Sequence, residues 1–324
     1  MKIVFFGTPE FALPALERLV ESRHEVALVV TQPDRPKGRG QKLVPSPVKE
    51  KALAHGLAVI EPRKLKAEGV AEKIKSLGAD LAVVAAYGRI LPAEVLQAPR
   101  LGCINIHPSL LPQYRGPAPI QRAILDGRDE TGVSLMMLVE ELDAGPIVAQ
   151  QTVEILNDDD ARSLTDMTGV LGAEMLLRVI DEADTTGRIE AEPQNDDEAT
   201  YAPPLEKEEG LIPWGDPTDR IMYRLRALTP WPGAFTYING ERLLIVTQAE
   251  PLWDSESLEL GEANKAKPGT VTSLKRGFGF TVRTGDGHLL VTAVKPEGRK
   301  PMDAHSFVIG RGLNEGDKLG PKKE

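Results

Sequence analysis

Five short apolar runs constrain this chain more than any other feature: KIVFF at 2–6, EVALVV at 25–30, LAVIE at 57–61, DLAVVAA at 80–86 and GCINI at 102–106. Each has the length of a strand, and none shows the regular polar alternation of a strand with one wet face. The segments between them carry helical patterns, as in FALPALERLV, VKEKALAHG, AEGVAEKIKSLG and, after the last run, PAPIQRAILDG. Buried strands alternating with helices imply a mostly parallel sheet covered on both faces. GVSLMMLVEEL and GPIVAQQTVEI read as two longer strands that meet around Asp143-Ala144-Gly145. A connection that short pairs them antiparallel and places Asp143 at a strand end. A helix over 161–182 closes the unit.

At 324 residues the chain is too long for one ordinary core and fits two domains. The stretch TTGRIEAEPQNDDEATYAPPLEKEEG is polar, acidic and proline-containing, the composition of a linker. Beyond it the period changes. One helical pattern, DPTDRIMYRLRAL, precedes the short strands RLLIVTQ, GTVTSL, GFGFTVRT and HLLVTAV, the last two joined by the turn Gly285-Asp286-Gly287. Short strands with few helices imply a small β-barrel of OB-like type. The expected division is an α/β domain over 1–189, a linker over 190–207, a barrel over 208–314 and a tail over 315–324.

The chain holds 39 Lys and Arg against 48 Asp and Glu, a net charge of −9. From residue 211 onward there are 16 basic and 14 acidic side chains, whereas 23 basic face 34 acidic before it. A polyanionic partner would therefore be held by local patches and by the second half. A single cysteine excludes an intramolecular disulfide and any multi-cysteine metal site. The first apolar stretch is broken by Gly7, Pro9 and Glu10, unlike a secretory signal, and no stretch approaches a membrane span. A cytoplasmic location without membrane contact is expected.

In an open α/β sheet, ligands bind beyond the carboxyl ends of the strands. Gly7-Thr8-Pro9, Ala86-Tyr87-Gly88 and the pair Asn105 and His107 fall there. Positions 105 and 107 share a face, because strand side chains alternate. An amide, an imidazole and the Asp143 carboxylate can converge on one point. Each also has a plainer use: His107 bonding a backbone carbonyl, Asp143 shaping a turn, Asn105 satisfying a strand end. Scattered histidines give too few ligands for a metal, so none is expected. Cys103 reads as a small buried hydrophobe. FFGTPEFALP lacks the G-x-G-x-x-G fingerprint, which argues against a dinucleotide.

The segments GTPEFALP, TQPDRPKGRGQKLVPSPVK, AAYGRILP, GCINIHPSLLPQYRGPAPIQRAI, ETGVSLMMLVEELDAGPI, TYAPPLEKEEGLIPW and RALTPWPGAFT appear in order from the first strand to about residue 236. Together they closely resemble the methionyl-tRNA formyltransferase family of folate-dependent formyltransferases. The resemblance implies a Rossmann-like N-terminal formyltransferase domain with an OB-like C-terminal domain that binds tRNA. It implies 10-formyltetrahydrofolate as donor and the α-amino group of initiator methionyl-tRNA as acceptor, with the enzyme a monomer. By similarity Asn105, His107 and Asp143 are catalytic. Ser109, Leu110, Leu111 and Pro112, with Tyr87, Gly88, Arg89, Ile90 and Leu91, match the folate-binding segments. Arg35, Lys37, Arg39 and Lys42 lie in the loop that reaches the tRNA acceptor arm in this family.

Arg224, Arg226, Lys275, Arg276, Arg283, Lys295, Arg299 and Lys300 are candidates for a phosphate-facing surface in the second domain. Trp231 is expected to pack at the domain junction rather than to stack a base. The Asn-x-His-Pro-Ser-Leu-Leu-Pro core is shared by folate-dependent formyltransferases generally, so a sugar-nucleotide amine is the alternative acceptor. The PDRPKGRGQKL loop argues against it.

Overall fold

The computed structural model describes residues 1–37, 42–252 and 265–323, and it divides into two compact units. The first unit spans 1–120, 129–155 and 163–203. The polar stretch 190–207 thus straddles the division. Among the described residues no helix is long and apolar enough to cross a membrane.

In chain order the first part holds β1 (Lys2–Gly7), α1 (Leu13–Glu21), β2 (Glu25–Val30), β3 (Arg35–Lys37), β4 (Lys42–Val44), α2 (Pro47–Ala54), β5 (Val59–Ile60) and α3 (Val70–Leu77). It continues through β6 (Leu81–Ala85), α4 (Ala93–Leu96), β7 (Cys103–His107), α5 (Pro119–Leu125), β8 (Glu130–Met137), β9 (Ile147–Glu154) and α6 (Ala161–Thr186). Seven strands form one sheet in the order β5-β2-β1-β6-β7-β8-β9. The first five are parallel, while β8 pairs antiparallel with β7 and β9.

Alternation along the strands builds a core on each face. Ile3, Phe5, Val29, Val83, Ile104 and Ile106 face one way, under α1 and α6. Val4, Phe6, Val30, Ala82, Val84 and Cys103 face the other. Asn105 and His107 share the parity of Cys103 and so point to the second face. Strand order reverses between β1 and β6, and that switch point opens a crevice beyond their carboxyl ends. Gly7 lies in it; a Cβ there would stand 2.7 Å from Phe5 and 2.8 Å from the Ala12 Cβ.

The two long strands pair as an antiparallel hairpin, but the placement of Asp143 at a strand end needs correction. β8 ends at Met137, and Asp143 lies in the loop 138–146 rather than at a strand end. Because β8 is antiparallel, Met137 faces Ile104, and the Leu138 amide bonds the Cys103 carbonyl at 2.8 Å. The loop therefore leaves the sheet where β7 begins, about 10 Å in strand rise from His107. Sequence periodicity registers a continuing strand, but the run of Glu140 and Glu141 has no buried face to occupy.

The second unit comprises 121–128, 156–162 and 204–324. It holds α7 (Thr218–Ala227), β10 (Ala234–Ile238), β11 (Arg242–Leu252), β12 (Val271–Lys275), β13 (Gly279–Arg283), β14 (His288–Pro296), β15 (Met302–Asp303), α8 (Ala304–Arg311) and β16 (Leu319–Gly320). Its antiparallel sheet runs β12-β13-β14-β11-β10-β16, with β15 against β14. The two edges meet at a Thr270–Lys318 bridge, where the Leu319 amide donates to the Gly269 carbonyl at 2.7 Å. That contact curls the sheet into a barrel around Phe280, Val282, Leu289 and Val291. The helix α8, absent from the sequence reading, adds Ala304 and Phe307 to the barrel core. Trp231 is 58% exposed and does not pack as expected. The buried tryptophan is Trp214, whose indole N–H finds the Thr236 hydroxyl at 3.1 Å and so loses nothing by burial.

Candidate active site

At the carboxyl end of β7 the last two polar side chains are both buried: Asn105 is 9% and His107 4% exposed. His107 Nε2 lies 2.9 Å from the Tyr114 carbonyl oxygen. A carbonyl only accepts, so Nε2 carries a hydrogen and Nδ1 is the nitrogen that faces Asp143. Nδ1 stands 3.7 Å from Asp143 Oδ2, too long for a hydrogen bond and within ion-pair range. Asp143 Oδ2 accepts from the Gly116 amide at 2.8 Å. The Asn105 side chain makes no hydrogen bond among the described residues, and neither does Asp143 Oδ1. The structure thus brings together the imidazole and the carboxylate, with an amide two residues away on the same strand face.

Two loops and a strap set this geometry. Tyr114 and Asp143 both adopt left-handed backbone conformations, at φ 58° and 50°. The Tyr114 amide donates to Thr200 Oγ1 at 2.8 Å, and the Arg115 amide to the Thr200 carbonyl at 2.9 Å. Ala202 N returns to the Arg115 carbonyl at 2.7 Å. Gly116, at φ 112°, passes so close beneath that a Cβ would stand 2.6 Å from the Tyr201 ring. Gln194 donates to the carbonyls of Asp143 and Gly145 at 2.8 and 2.7 Å. Neither Gln194 nor Thr200 stands out in the sequence, because a polar, acidic stretch carries no signal that its side chains fold back.

The segment Ser109–Pro112 forms a wall with its own hub. Ser134 Oγ donates to the Ser109 carbonyl at 2.6 Å and accepts from the Leu111 amide at 3.1 Å. Gln150 Nε2 adds bonds to that hydroxyl at 2.8 Å and to the Leu111 carbonyl at 2.7 Å. Ser109 and Leu111 are buried, with the Ser109 hydroxyl on the Gln113 carbonyl. Leu110 lies over Gly132, where a Cβ would meet it at 2.4 Å.

The Tyr87–Leu91 segment follows β6. Tyr87 is 1% exposed with its ring edge-on to Phe6, and burial raises its hydroxyl pKa. Its carbonyl accepts from Gln32 Nε2 at 2.7 Å and Thr8 Oγ1 at 3.1 Å across the switch point. Gly88 needs to be glycine: at φ 79° a Cβ would stand 2.6 Å from Gln32. Leu91 is buried, whereas Ile90 is 79% exposed. Arg89 is committed to the carbonyls of Pro62 and Arg63 at 2.9 and 2.7 Å.

Of the loop cations, Arg39 lies outside the described residues. Lys37 and Lys42 pair through their backbones in the β3–β4 hairpin, which the sequence reading treated as loop. Arg35 donates to Gln32 Oε1, which ties the root of this hairpin to the Tyr87 carbonyl. Asp34 and Glu61 share Lys49 at 2.8 and 2.7 Å; the bond from Lys49 holds the Asp34 carboxyl below its ordinary pKa. In the second unit Arg224, Arg226 and Arg283 all bond backbone carbonyls. Lys275, Arg276, Lys295, Arg299 and Lys300 have no side-chain partner among the described residues. Cys103 is 1% exposed, and burial pushes its thiol pKa up to about 12, so it is no nucleophile. Among the described residues no group of three or more His, Cys, Asp or Glu is disposed to hold a metal.

Residues 1–180 match the family model described as Formyl transferase, and residues 204–312 the one described as Formyl transferase, C-terminal domain. The methionyl-tRNA formyltransferase of Symbiobacterium thermophilum is 47% identical over 323 residues, which cover 99% of this chain and 96% of that protein. The methionyl-tRNA formyltransferase of Methylobacillus flagellatus is 44% identical over 320 residues, 99% of this chain and 100% of that one. Among solved structures, HypX from Aquifex aeolicus in complex with tetrahydrofolic acid aligns with a TM-score of 0.64 at 21% identity. That alignment covers 97% of this chain and 48% of HypX, so the chain spans about half of that protein; at such identity the likeness bears on the fold alone. With both family models matched in order and relatives this similar from end to end, the chain belongs to the formyl transferase family, among the methionyl-tRNA formyltransferases.

Proposed function

We propose that this enzyme transfers the formyl group of 10-formyltetrahydrofolate to the α-amino group of initiator methionyl-tRNA, acting as a cytoplasmic monomer. The observation that carries the reading is the buried His107–Asp143 pair beside the unpartnered Asn105 amide, in a chain so similar throughout to methionyl-tRNA formyltransferases.

The amine attacks only when neutral, and an α-amino group of pKa about 7.7–8.0 is mostly protonated at pH 7. Attack on the formyl carbon builds an oxyanion. Asn105 offers its free N–H to that oxygen. His107 keeps its Nε2 hydrogen on Tyr114 and presents Nδ1. A hydrogen on Nδ1 would make it a second donor to that oxygen, with the Asp143 carboxylate 3.7 Å away. Donors fixed before the charge develops are each worth about 10²–10³ in rate in a buried site. The attacking nitrogen must lose one proton, and N10 of the departing tetrahydrofolate must gain one. Asp143 Oδ1, the oxygen not spent on Gly116, would pass it through water, a role that its freedom from Gly116 supports.

Ser109–Pro112 and Tyr87–Leu91 offer a fixed wall and a buried aromatic for a flat pterin and its tail. Arg35, Lys37, Arg39 and Lys42 would meet the acceptor arm, and the barrel lysines and arginines its phosphates. The test offers purified protein labelled 10-formyltetrahydrofolate with charged initiator tRNA in one arm and sugar-nucleotide amines in another. Label is expected on methionyl-tRNA. Label on the sugar amine with none on methionyl-tRNA would refute the reading.

A further inference from the structure

Asp143 reaches its station against the run of the chain. Its loop leaves β8 beside Cys103, at the opposite end of β7 from His107, and must be held where it has folded back. One side chain holds it from behind. Gln194 Nε2 donates to the carbonyls of Asp143 and Gly145 at 2.8 and 2.7 Å, which uses both of its hydrogens. Gln194 Oε1 accepts from Arg115 Nε and NH2 at 3.0 and 2.8 Å, which uses both of its lone pairs. The orientation of this amide is dictated by its partners, since carbonyls only accept and a guanidinium only donates.

Arg115 belongs to the other loop of the site. It follows Tyr114, whose carbonyl holds His107, and precedes Gly116, whose amide holds Asp143. Gln194 and Arg115 thus bolt the loop after β7 to the loop after β8. We infer that Gln194, backed by Arg115, is a positioning residue that sets the separation and orientation of His107 and Asp143. The inference rests on the proposed formyl transfer for its consequence, while the tether itself has a readout that needs no turnover.

Two variants separate the tether from bulk. Gln194→Glu keeps the shape and the acceptor for Arg115 but sets carboxylate oxygen against two carbonyls. Gln194→Ala removes everything. Both are expected to lower kcat by about 30- to 100-fold with KM for either substrate within about threefold, as a misplacement near 1 Å does. In an Asp143→Ala background the further loss is expected to be under about threefold, because the carboxylate being positioned is gone. The backbone amide of Gly116, bonded to Asp143 Oδ2, is expected to exchange its hydrogen faster in both single variants than in wild type.

Wild-type kcat in Gln194→Glu, or a full multiplicative loss on Asp143→Ala, would overturn the inference. So would unchanged Gly116 exchange, whatever the reaction proves to be. Failure of both variants to fold would overturn it too, since such a residue would be a structural necessity rather than a positioning one. A wild-type enzyme that formylates no methionyl-tRNA would instead strike the proposed function and leave the exchange result to decide the tether.

Discussion

Gly145→Ala puts the folded-back loop under a defined strain. A Cβ at Gly145 would stand 1.7 Å from the Met137 carbonyl oxygen and 2.9 Å from its carbon, where real Cβ contacts essentially never fall below 3.0 Å. Neither neighbour is the end of a flexible side chain. Met137 is fixed in the sheet opposite Ile104, and its amide bonds the Pro146 carbonyl at 2.9 Å. The loop must therefore retreat by more than about 1 Å, and Asp143, two residues away on the same Gln194 clamp, moves with it. A displacement of that size at a reacting centre costs about 10²-fold, or about 2.7 kcal/mol of activation free energy. Initial rates over a matrix of both substrates should show kcat reduced by about that factor. The KM for 10-formyltetrahydrofolate should stay within about threefold, because the Ser109–Pro112 wall hangs on Ser134 and Gln150 instead. A kcat within about threefold of wild type, in a variant shown to be folded, would refute the argument that this close approach holds the carboxylate.

Two further outcomes follow from the same geometry. Asp143→Ala and Asp143→Gly are both expected to lose activity by orders of magnitude, yet Asp143→Gly should melt at the higher temperature, since only glycine accepts φ 50° freely and alanine there costs about 1 kcal/mol; the reverse order in calorimetry would contradict the left-handed assignment. Cys103, with its thiol pKa pushed up to about 12, should resist iodoacetamide at pH 8 in the native enzyme and label fully once unfolded, and stoichiometric labelling of the native protein would contradict its burial.

Much of the α/β unit was legible because its strands are read by continuity and its helices by period, signals that local sequence carries. KIVFF, EVALVV, DLAVVAA and GCINI all became neighbours in one sheet. The parity that puts Asn105 and His107 on one face is likewise local. What escaped was decided by distant partners. Gln194 and Thr200 sit in a stretch whose acidity and prolines suggest solvent, and only the return of the chain onto Tyr114–Gly116 gives them work. Trp231, between two prolines, gave no local sign of its 58% exposure, and the tryptophan in the barrel core is Trp214. The hairpin β3–β4 hides in a run whose glycines and cations lack strand patterning.

The backbone itself marks where tertiary demand overrode local preference. Among the described residues four that are not glycine have positive φ: Ala86, Tyr114, Asp143 and Asn239. Asn239 needs no special account, since Asn239-Gly240 turns β10 into β11 with the pair such a hairpin favours. The other three lie on the segments that carry Tyr87, His107's carbonyl acceptor and the carboxylate. Each costs about 1–2 kcal/mol relative to an ordinary conformation, and a locally consistent sequence would use glycine. Each is held by groups remote in sequence. Thr8 and Gln32 hold the Tyr87 carbonyl just after Ala86, Thr200 holds the Tyr114 amide, and Gln194 holds the Asp143 carbonyl. Glycine would relieve the strain at 143 only by deleting the carboxylate that the proposed mechanism uses. The strained positions and the remote clamps thus go together: each unfavourable conformation is held by polar groups far away in sequence, which is how the proposed site would keep its groups fixed before the substrate arrives.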